Sequence, residues 1–260
     1  MYEDFTAPLP DLGAYLARIG LAGAALPPST DSLCALMQAH LTHVPFENLD
    51  AWDRGEAPLL GIPDIFDKVV ICRRGGWCFE LNALFKALLD ALGFETYTVG
   101  ARVMVGRDYF PAVSHRGTVC LLDGKRYYCD VGFGDVLFRA PVPMDGSVSQ
   151  FGFSAKQNGE YTEIWQGGEK PRRLVMFIDR PYEAVDFMFA NYTNSVKPGL
   201  PFKENLYASI LTEDGHRKLL YNNLLKETDG GTLFSSCEAA DRAGVSALLL
   251  EHFGIDYPLR

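Results

Sequence analysis

A thiol, an imidazole and a carboxylate can together carry acyl-transfer chemistry, and the chain offers one of each at workable positions. The thiol is Cys78, within Arg73-Arg74-Gly75-Gly76-Trp77-Cys78-Phe79-Glu80-Leu81-Asn82. Gly75-Gly76 reads as a tight entry into a helix. Downstream, Leu81, Leu84, Phe85, Leu88 and Leu92 keep helical spacing, and Gly93 follows as a stop. Leu81 and Phe85 share the face of Cys78, so the sulfur lies on the interior stripe at the positive end of the helix. A helix N-terminus favours a thiolate, and a nearby imidazolium favours it further. Alone, such a cysteine is equally an inert member of a core; a nucleophile needs a base, and the base needs an orienting group.

The base and its orienter come from one hairpin. His115 to Leu122 and Lys125 to Val131 are β-prone runs joined by Asp123-Gly124, the strongest short-range hairpin signal. A two-residue loop pairs 122 with 125 and 117 with 130, and His115 then stands opposite Gly132. His115 and Asp130 are therefore diagonal neighbours on one face, about 7–8 Å apart at Cα and within side-chain reach. A three-residue loop with a bulge breaks this relation. Taken singly, His115 also reads as a satisfied core histidine, and Asp130 as a carboxylate bonding nearby backbone.

The elements around these residues change character along the chain. Residues 11 to 93 read as helical. One helix runs from Asp11 to Gly20. A second follows Pro27-Pro28-Ser29-Thr30 with Leu33, Leu36, Met37 and Leu41 inward, and ends at Val44-Pro45. Residues 50 to 62 read as irregular, and Ile65 to Ile71 leads into the Cys78 helix. From Glu95 the period becomes two, with strands expected at Thr96 to Val105, in the Asp-Gly hairpin, at Thr162 to Trp165 and at Leu174 to Ile178. Residues 186 to 203 read as a short helix and an irregular connector. A hairpin of Leu206 to Leu211 and Arg217 to Tyr221 follows, then a helix from Ala239 to Phe253. This order predicts an α+β protein of two or three lobes.

Composition narrows the partners. Hydrophobic content of 48% and charged content of 22% suit a globular chain able to bury a sizeable core. The net charge of −9 argues against nucleic acid. No apolar run reaches the roughly 20 residues of a membrane span, and the acidic Met1-Tyr2-Glu3-Asp4-Phe5 lacks the order of a secretory signal. The six cysteines form no C-x-x-C pair, and the five histidines show no zinc-ligand spacing. His40 and His43, three apart, read as one wet and one half-buried histidine rather than metal ligands. The expectation is a cytoplasmic protein with free thiols and no metal.

The combination of Arg74-Gly75-Gly76-Trp77-Cys78-Phe79-Glu80-Leu81-Asn82, His115 and Asp130-Val131-Gly132-Phe133-Gly134 resembles the arylamine N-acetyltransferases. Val44-Pro45-Phe46-Glu47-Asn48-Leu49 is similar to that family's Pro-Phe-Glu-Asn block, and the resemblance extends to Glu251-His252-Phe253-Gly254-Ile255. It implies a helical bundle over 1–93 carrying the nucleophile, a central antiparallel β-barrel over 94–203 with the connector, and a C-terminal α/β lid over 204–260. It further implies a Cys78-His115-Asp130 triad and ping-pong acetyl transfer from acetyl-CoA, as co-substrate, to an arylamine or hydrazine. Phe46, Val103 and Phe133 would line the acceptor pocket. Arg74, Glu47 and Gly134 would support the site, the first two as an ion pair or as separate surface charges. An endogenous amine, a xenobiotic and a biosynthetic intermediate all fit as acceptor.

One region departs from the family pattern. The connector Asn191 to Phe202 keeps Asn191, Ser195, Pro198 and Phe202, but Leu200 stands where a second serine is expected. Coenzyme-A recognition through this segment is where the resemblance is weakest. Lys197 is its one candidate phosphate contact. Asp135, after the Gly-Phe-Gly turn, is expected to place a negative charge at the pocket mouth and disfavour anionic acceptors. Other readings stay open. An amide synthase acting on a carrier-bound polyketide-type chain would use the same three residues with another donor. A papain-like hydrolase or transglutaminase shares the order Cys, His, Asp but not the motifs around Cys78. A non-catalytic binding module would not need all three residues.

Overall fold

Capping residues decide where the N-terminal helices begin. Asp11 caps α1 (Leu12–Arg18), its carboxylate accepting from the Ala14 N–H at 2.9 Å. Ser29 caps α2 (Thr30–His43) by accepting from the Ser32 N–H at 3.1 Å, and Pro45 ends it. The computed structural model describes residues 3–260; Met1 and Tyr2, which open the acidic N-terminal run, lie outside the described residues. A two-residue strand, β1 (Phe46–Glu47), follows α2. The stretch 50–62, expected to be irregular, is partly helical, with a wide turn of π type over Asp50–Arg54; α3 (Ile62–Phe66) and a second wide turn at Asp67–Ile71 follow, where Ile65 to Ile71 leads toward the Cys78 helix. These segments are five residues each, too short to show a helical period.

Helix α4 (Cys78–Ala91) is buried over most of its surface, and Lys86, Asp90 and Ala91 mark its open edge. It packs against α3 and α1 on one flank and against the barrel strands β2 (Glu95–Val103) and β3 (His115–Leu122) on the other. The barrel continues through β4 (Lys125–Cys129), β5 (Val142–Pro143), β6 (Phe153–Asn158), β7 (Tyr161–Gln166) and β8 (Arg172–Ile178). Its seven strands run in the order β5-β4-β3-β2-β8-β7-β6, each pair antiparallel. The edge strands β5 and β6 lie against each other, so the barrel is nearly closed. Strand β6 has no counterpart in the sequence reading, because its outer half, Lys156-Gln157-Asn158, is exposed and polar.

The decisive hairpin has the register its turn demands. Leu122 pairs with Lys125 and Thr118 with Cys129. Asp123 and Gly124 both take positive φ, 50° and 72°, the signature of a two-residue type I′ turn.

The C-terminal part begins with α5 (Phe187–Val196) and α6 (Pro201–Glu204). Four strands follow: β9 (Tyr207–Leu211), β10 (Arg217–Tyr221), β11 (Leu224–Asp229) and β12 (Thr232–Glu238). They form a five-stranded sheet in the order β1-β9-β10-β11-β12. Strand β12 is exposed along its whole length, so no alternation marks it, and the hairpin it forms with β11 is absent from the sequence reading. Helix α7 (Arg242–Phe253) starts three residues later than expected, where Asp241 caps it by accepting from the Gly244 N–H at 2.8 Å. The architecture is α+β: an N-terminal helical bundle, a central antiparallel β-barrel and a C-terminal α/β lid. One exchange links its ends, since β1 pairs with β9 through Phe46↔Ser209 and Glu47↔Ala208.

Two other expectations meet the structure here. His40 is fully buried, its Nδ1 on the Tyr15 hydroxyl at 2.7 Å, and His43 is half-buried. The pair is drier than expected because α1 and α4 close over α2. The six cysteines are free, and among the described residues no helix is long and apolar enough to cross a membrane.

Gly124 has open space around the position of a Cβ, so replacing it tests the backbone alone. Gly124→Ala is expected to lower the unfolding free energy by about 1 kcal/mol, the left-handed penalty less the reduced freedom of the unfolded chain. A urea titration with an unchanged slope checks it.

Candidate active site

The entry to α4 is built on close approach. A Cβ on Gly75 would lie 2.0 Å from the Pro45 carbonyl oxygen, and one on Gly76 would lie 2.9 Å from Glu80 Oε2. With neither present, the Cys78 loop lies directly on β1, and the Glu47 N–H donates to the Gly76 carbonyl at 2.9 Å. The Trp77 N–H, free at the helix start, donates to Glu80 Oε2 at 3.1 Å. Its indole Nε1 donates to Asn191 Oδ1 at 3.1 Å, which ties the loop to α5.

Asp130 lies just past the end of β4 and has no solvent exposure. Its carboxylate accepts four hydrogen bonds. Oδ2 takes His115 Nε2 at 2.6 Å and the Tyr128 hydroxyl at 2.8 Å; Oδ1 takes Asn82 Nδ2 at 2.8 Å and the Gly132 N–H at 2.9 Å. Asn82 lies one helical turn beyond Cys78. Its Nδ2 also donates to the Arg116 carbonyl at 2.6 Å, and its Oδ1 accepts from the Val131 N–H at 2.9 Å. A Cβ on Gly132 would come within 2.9 Å of the Cys78 Cα, so the strand end and the helix start touch backbone to backbone.

With Nε2 engaged by Asp130, the other ring nitrogen of His115 is left for Cys78, whose side chain lines the same cavity. Burial opposes a charge on His115. The Asp130 carboxylate, and then the Cys78 sulfur, outweigh burial and hold the imidazolium up to about pH 10. The arrangement can place a thiolate beside an imidazolium whose orientation is fixed by a buried carboxylate.

Below the loop lies a buried ionic cluster. Arg74 Nη2 meets Glu47 Oε1 at 2.7 Å, and Arg74 Nη1 meets Asp50 Oδ1 at 3.0 Å. Lys68 Nζ reaches Asp50 Oδ2 at 2.6 Å and Glu80 Oε1 at 2.7 Å. Three carboxylates share two cations. Burial pushes the Glu80 carboxyl up to about 7 against the pull of Lys68. For Asp50 the two cations overcome burial and hold it near 2. Arg74 and Glu47 thus form an ion pair rather than separate surface charges.

Cys78 and His115 open onto a cavity of about 330 Å³. Its walls include Phe46, Val103 and Phe133, together with Leu200, Phe202 and Tyr207. A Cβ on Gly134 would lie 3.2 Å from the Phe46 ring, and the left-handed backbone there, at φ 80°, favours glycine. The connector residue Leu200 contributes apolar wall, while Lys197 is exposed and outside the cavity lining. Asp135 does stand at the mouth, but its carboxylate is paired with Arg172 at 2.5 Å and with Arg217 at 3.4 Å, and Arg107 lines the same cavity. The local balance is therefore positive, contrary to the expectation drawn from Asp135 alone.

A protein-family model described as N-acetyltransferase matches residues 29–259. An arylamine N-acetyltransferase of Mycolicibacterium smegmatis is 33% identical over 263 residues, covering 95% of this chain and 92% of its own. The chain belongs to the arylamine N-acetyltransferase family. Solved structures of the family superpose closely. An arylamine N-acetyltransferase from Salmonella typhimurium gives a TM-score of 0.89 at 25% identity, over 97% of this chain and 93% of that one. The Mycobacterium marinum arylamine N-acetyltransferase in complex with CoA gives 0.87 at 28% identity, over 95% and 93%. The chain is accordingly an enzyme, an acyltransferase.

Within this member of the family, sequence reasoning did not assign Asn82, Tyr128, Asp50, Lys68 and Glu80. Two of these carried a signal. Asn82 is a polar residue four places after Cys78, amid the apolar stripe of the helix, and Tyr128 shares the strand face of Asp130. The ionic cluster joins five segments, and no spacing reveals it. Among the described residues, no group of three or more His, Cys, Asp or Glu side chains is arranged to hold a metal.

Two outcomes are expected. Asn82→Ala strips a bond from Asp130 and orphans the Val131 N–H and the Arg116 carbonyl, so it should lower stability by about 3 kcal/mol in a urea titration. His115 in the fold holds its proton well above the ordinary 6.5, to about 10. Its contribution to stability is therefore complete below about pH 6.5 and lost as the pH rises toward about 10. The unfolding free energy of the wild type should fall through that window, and His115→Gln should flatten the slope.

Proposed function

We propose that the enzyme transfers the acetyl group of acetyl-CoA to the nitrogen of an arylamine or arylhydrazine through an acetyl-Cys78 intermediate. The observation that carries this reading is one-sided access to the sulfur. Gly132 presses on the Cys78 Cα, Asn82 and Asp130 lie behind the site, and the approach is through the 330 Å³ cavity. Donor and acceptor must use that approach in turn, which is the requirement of a ping-pong reaction.

In the first half, the Cys78 thiolate attacks the thioester carbonyl. The tetrahedral adduct expels the CoA sulfur, which takes the proton held by His115, and an S-acetyl cysteine remains. In the second half, the amine attacks that thioester, His115 takes a proton from the nitrogen, and the adduct collapses to the amide and the Cys78 thiolate. Asp130 keeps the imidazole in one orientation throughout. Exchange between two thioesters is nearly balanced in energy, so either acceptor drains the intermediate. The apolar walls Phe46, Val103, Phe133 and Phe202 suit an aromatic ring and keep water from the acyl group.

The CoA moiety has a natural neighbour site. A cleft of about 620 Å³ shares Asp135 with the cavity and carries Arg139, Arg172 and Arg217. Guanidinium groups suit a pyrophosphate and a 3′-phosphate. The CoA complex of the Mycobacterium marinum relative supports this choice of donor.

Intact-protein and peptide mass spectrometry after acetyl-CoA should show one added acetyl group, on Cys78, that an arylamine chase removes. Cys78→Ala should fold and retain less than about a thousandth of the transfer rate. Acylation elsewhere, or activity kept in the variant, overturns the mechanism. A chain inert to acetyl-CoA but acylated by a carrier-bound thioester would be an amide synthase instead.

A further inference from the structure

Among the described residues, Arg116 is a buried cation with no ion-pair partner. It follows His115 in β3 and so points to the opposite face of the strand, and it is 3% exposed. Among the described residues, its guanidinium makes one hydrogen bond, from Nη2 to Thr98 Oγ1 at 3.3 Å, and stands 5.5 Å from the centre of the Phe187 ring. Its Nε is buried and has no partner. A buried charge left unpaired is costly, and protein interiors almost always supply a partner. Burial accordingly pushes Arg116 down to about 10.

The same residue lines a cavity of about 250 Å³ behind α4, on the side away from Cys78. Ile62, Ala83, Ala87 and Tyr182 give it apolar walls. The other charges around it are spoken for or at its edge. Lys86 pairs with Asp90 at 2.6 Å, and Asp90 also accepts from the Thr96 hydroxyl; Glu183 is exposed. Arg116 is the charge of this cavity that the protein leaves unanswered.

We propose that this cavity binds a small organic carboxylate, held by the guanidinium of Arg116, with its apolar body against Ala87 and Tyr182. The guanidinium edge matches a carboxylate in a two-point fork. The apolar walls favour an acid with a hydrocarbon body over inorganic phosphate. The site is independent of the acetyl-transfer reading, and the test reads binding rather than turnover.

The probe is sodium benzoate, titrated calorimetrically into the full chain. Saturable binding is expected, weakened about tenfold or more in Arg116→Met and for the neutral analogue benzamide. Ala87→Leu narrows the cavity from α4 while keeping the Arg116 charge and should weaken binding similarly; it decides the matter where Arg116→Met does not fold. Phe133→Ala, on the Cys78 cavity, should leave benzoate binding unchanged. No saturable binding, binding indifferent to both Arg116→Met and Ala87→Leu, or binding lost in Phe133→Ala each overturns the proposal.

Discussion

The structure around the site depends on satisfying one wholly buried carboxylate. Asp130 is fully buried, and a bare carboxylate in such a place would protonate or pull the fold apart. Four donors prevent this, and they come from different parts of the chain: an imidazole from β3, a phenol from β4, an amide from α4 and a backbone N–H from the turn after β4. Each is where it is because something else is satisfied. Asn82 donates to Asp130 while also closing the Arg116 carbonyl and the Val131 N–H. Satisfying the charge therefore fixes how α4 docks on the barrel, and Cys78 at the start of α4 is placed by the same bonds that place His115.

The second constraint acts on the loop rather than the helix. Gly75 lets two backbones approach to a distance that no side chain would allow, and Gly76 leaves room for the Glu80 side chain, but close approach alone does not hold the loop in place. The cluster of Glu47, Asp50, Lys68, Arg74 and Glu80 supplies that hold. Its five members lie on β1, the two wide turns, the glycine loop and α4. Removing one would leave a neighbour's charge unpaired under cover, a larger penalty than the loss of a surface ion pair. The cluster also caps α4, because Glu80 accepts the Trp77 N–H. Nucleophile loop and helix start are thereby one rigid unit.

What the sequence revealed follows from how local each signal was. The Asp-Gly turn sets its own register, so the neighbourhood of His115 and Asp130 was legible from one hairpin. The helical stripe after Cys78 was legible for the same reason. The β11–β12 hairpin was not, because β12 buries nothing and so carries no alternation. The short helical turns at 50–54 and 67–71 fall below the length at which a period can be counted. The role of Asp135 was misread because its two arginine partners arrive from β8 and β10, far away in the chain. Charge at a position is a sequence fact; charge balance is a property of the fold.

The cavity wall is assembled differently from the triad it serves. Phe46 comes from the helical part, Phe133 from the barrel, and Phe202 and Tyr207 from the lid. Phe46, Phe202 and Tyr207 pack on one another with ring centres 5.6 to 6.1 Å apart. The exchange of β1 into the lid sheet makes this meeting possible, and Ser209 fastens it by donating to the Gly134 carbonyl at 2.8 Å. None of these aromatic side chains bonds to Asp130 or His115, and only Phe133 stacks near the imidazole, edge to face at 5.3 Å. The lid-side wall can therefore change size or polarity, as it does at Leu200, without disturbing the hydrogen bonds that hold the nucleophile. The cavity wall and the hydrogen-bonded group of Cys78, His115 and Asp130 are separable in this fold because different contacts enforce them.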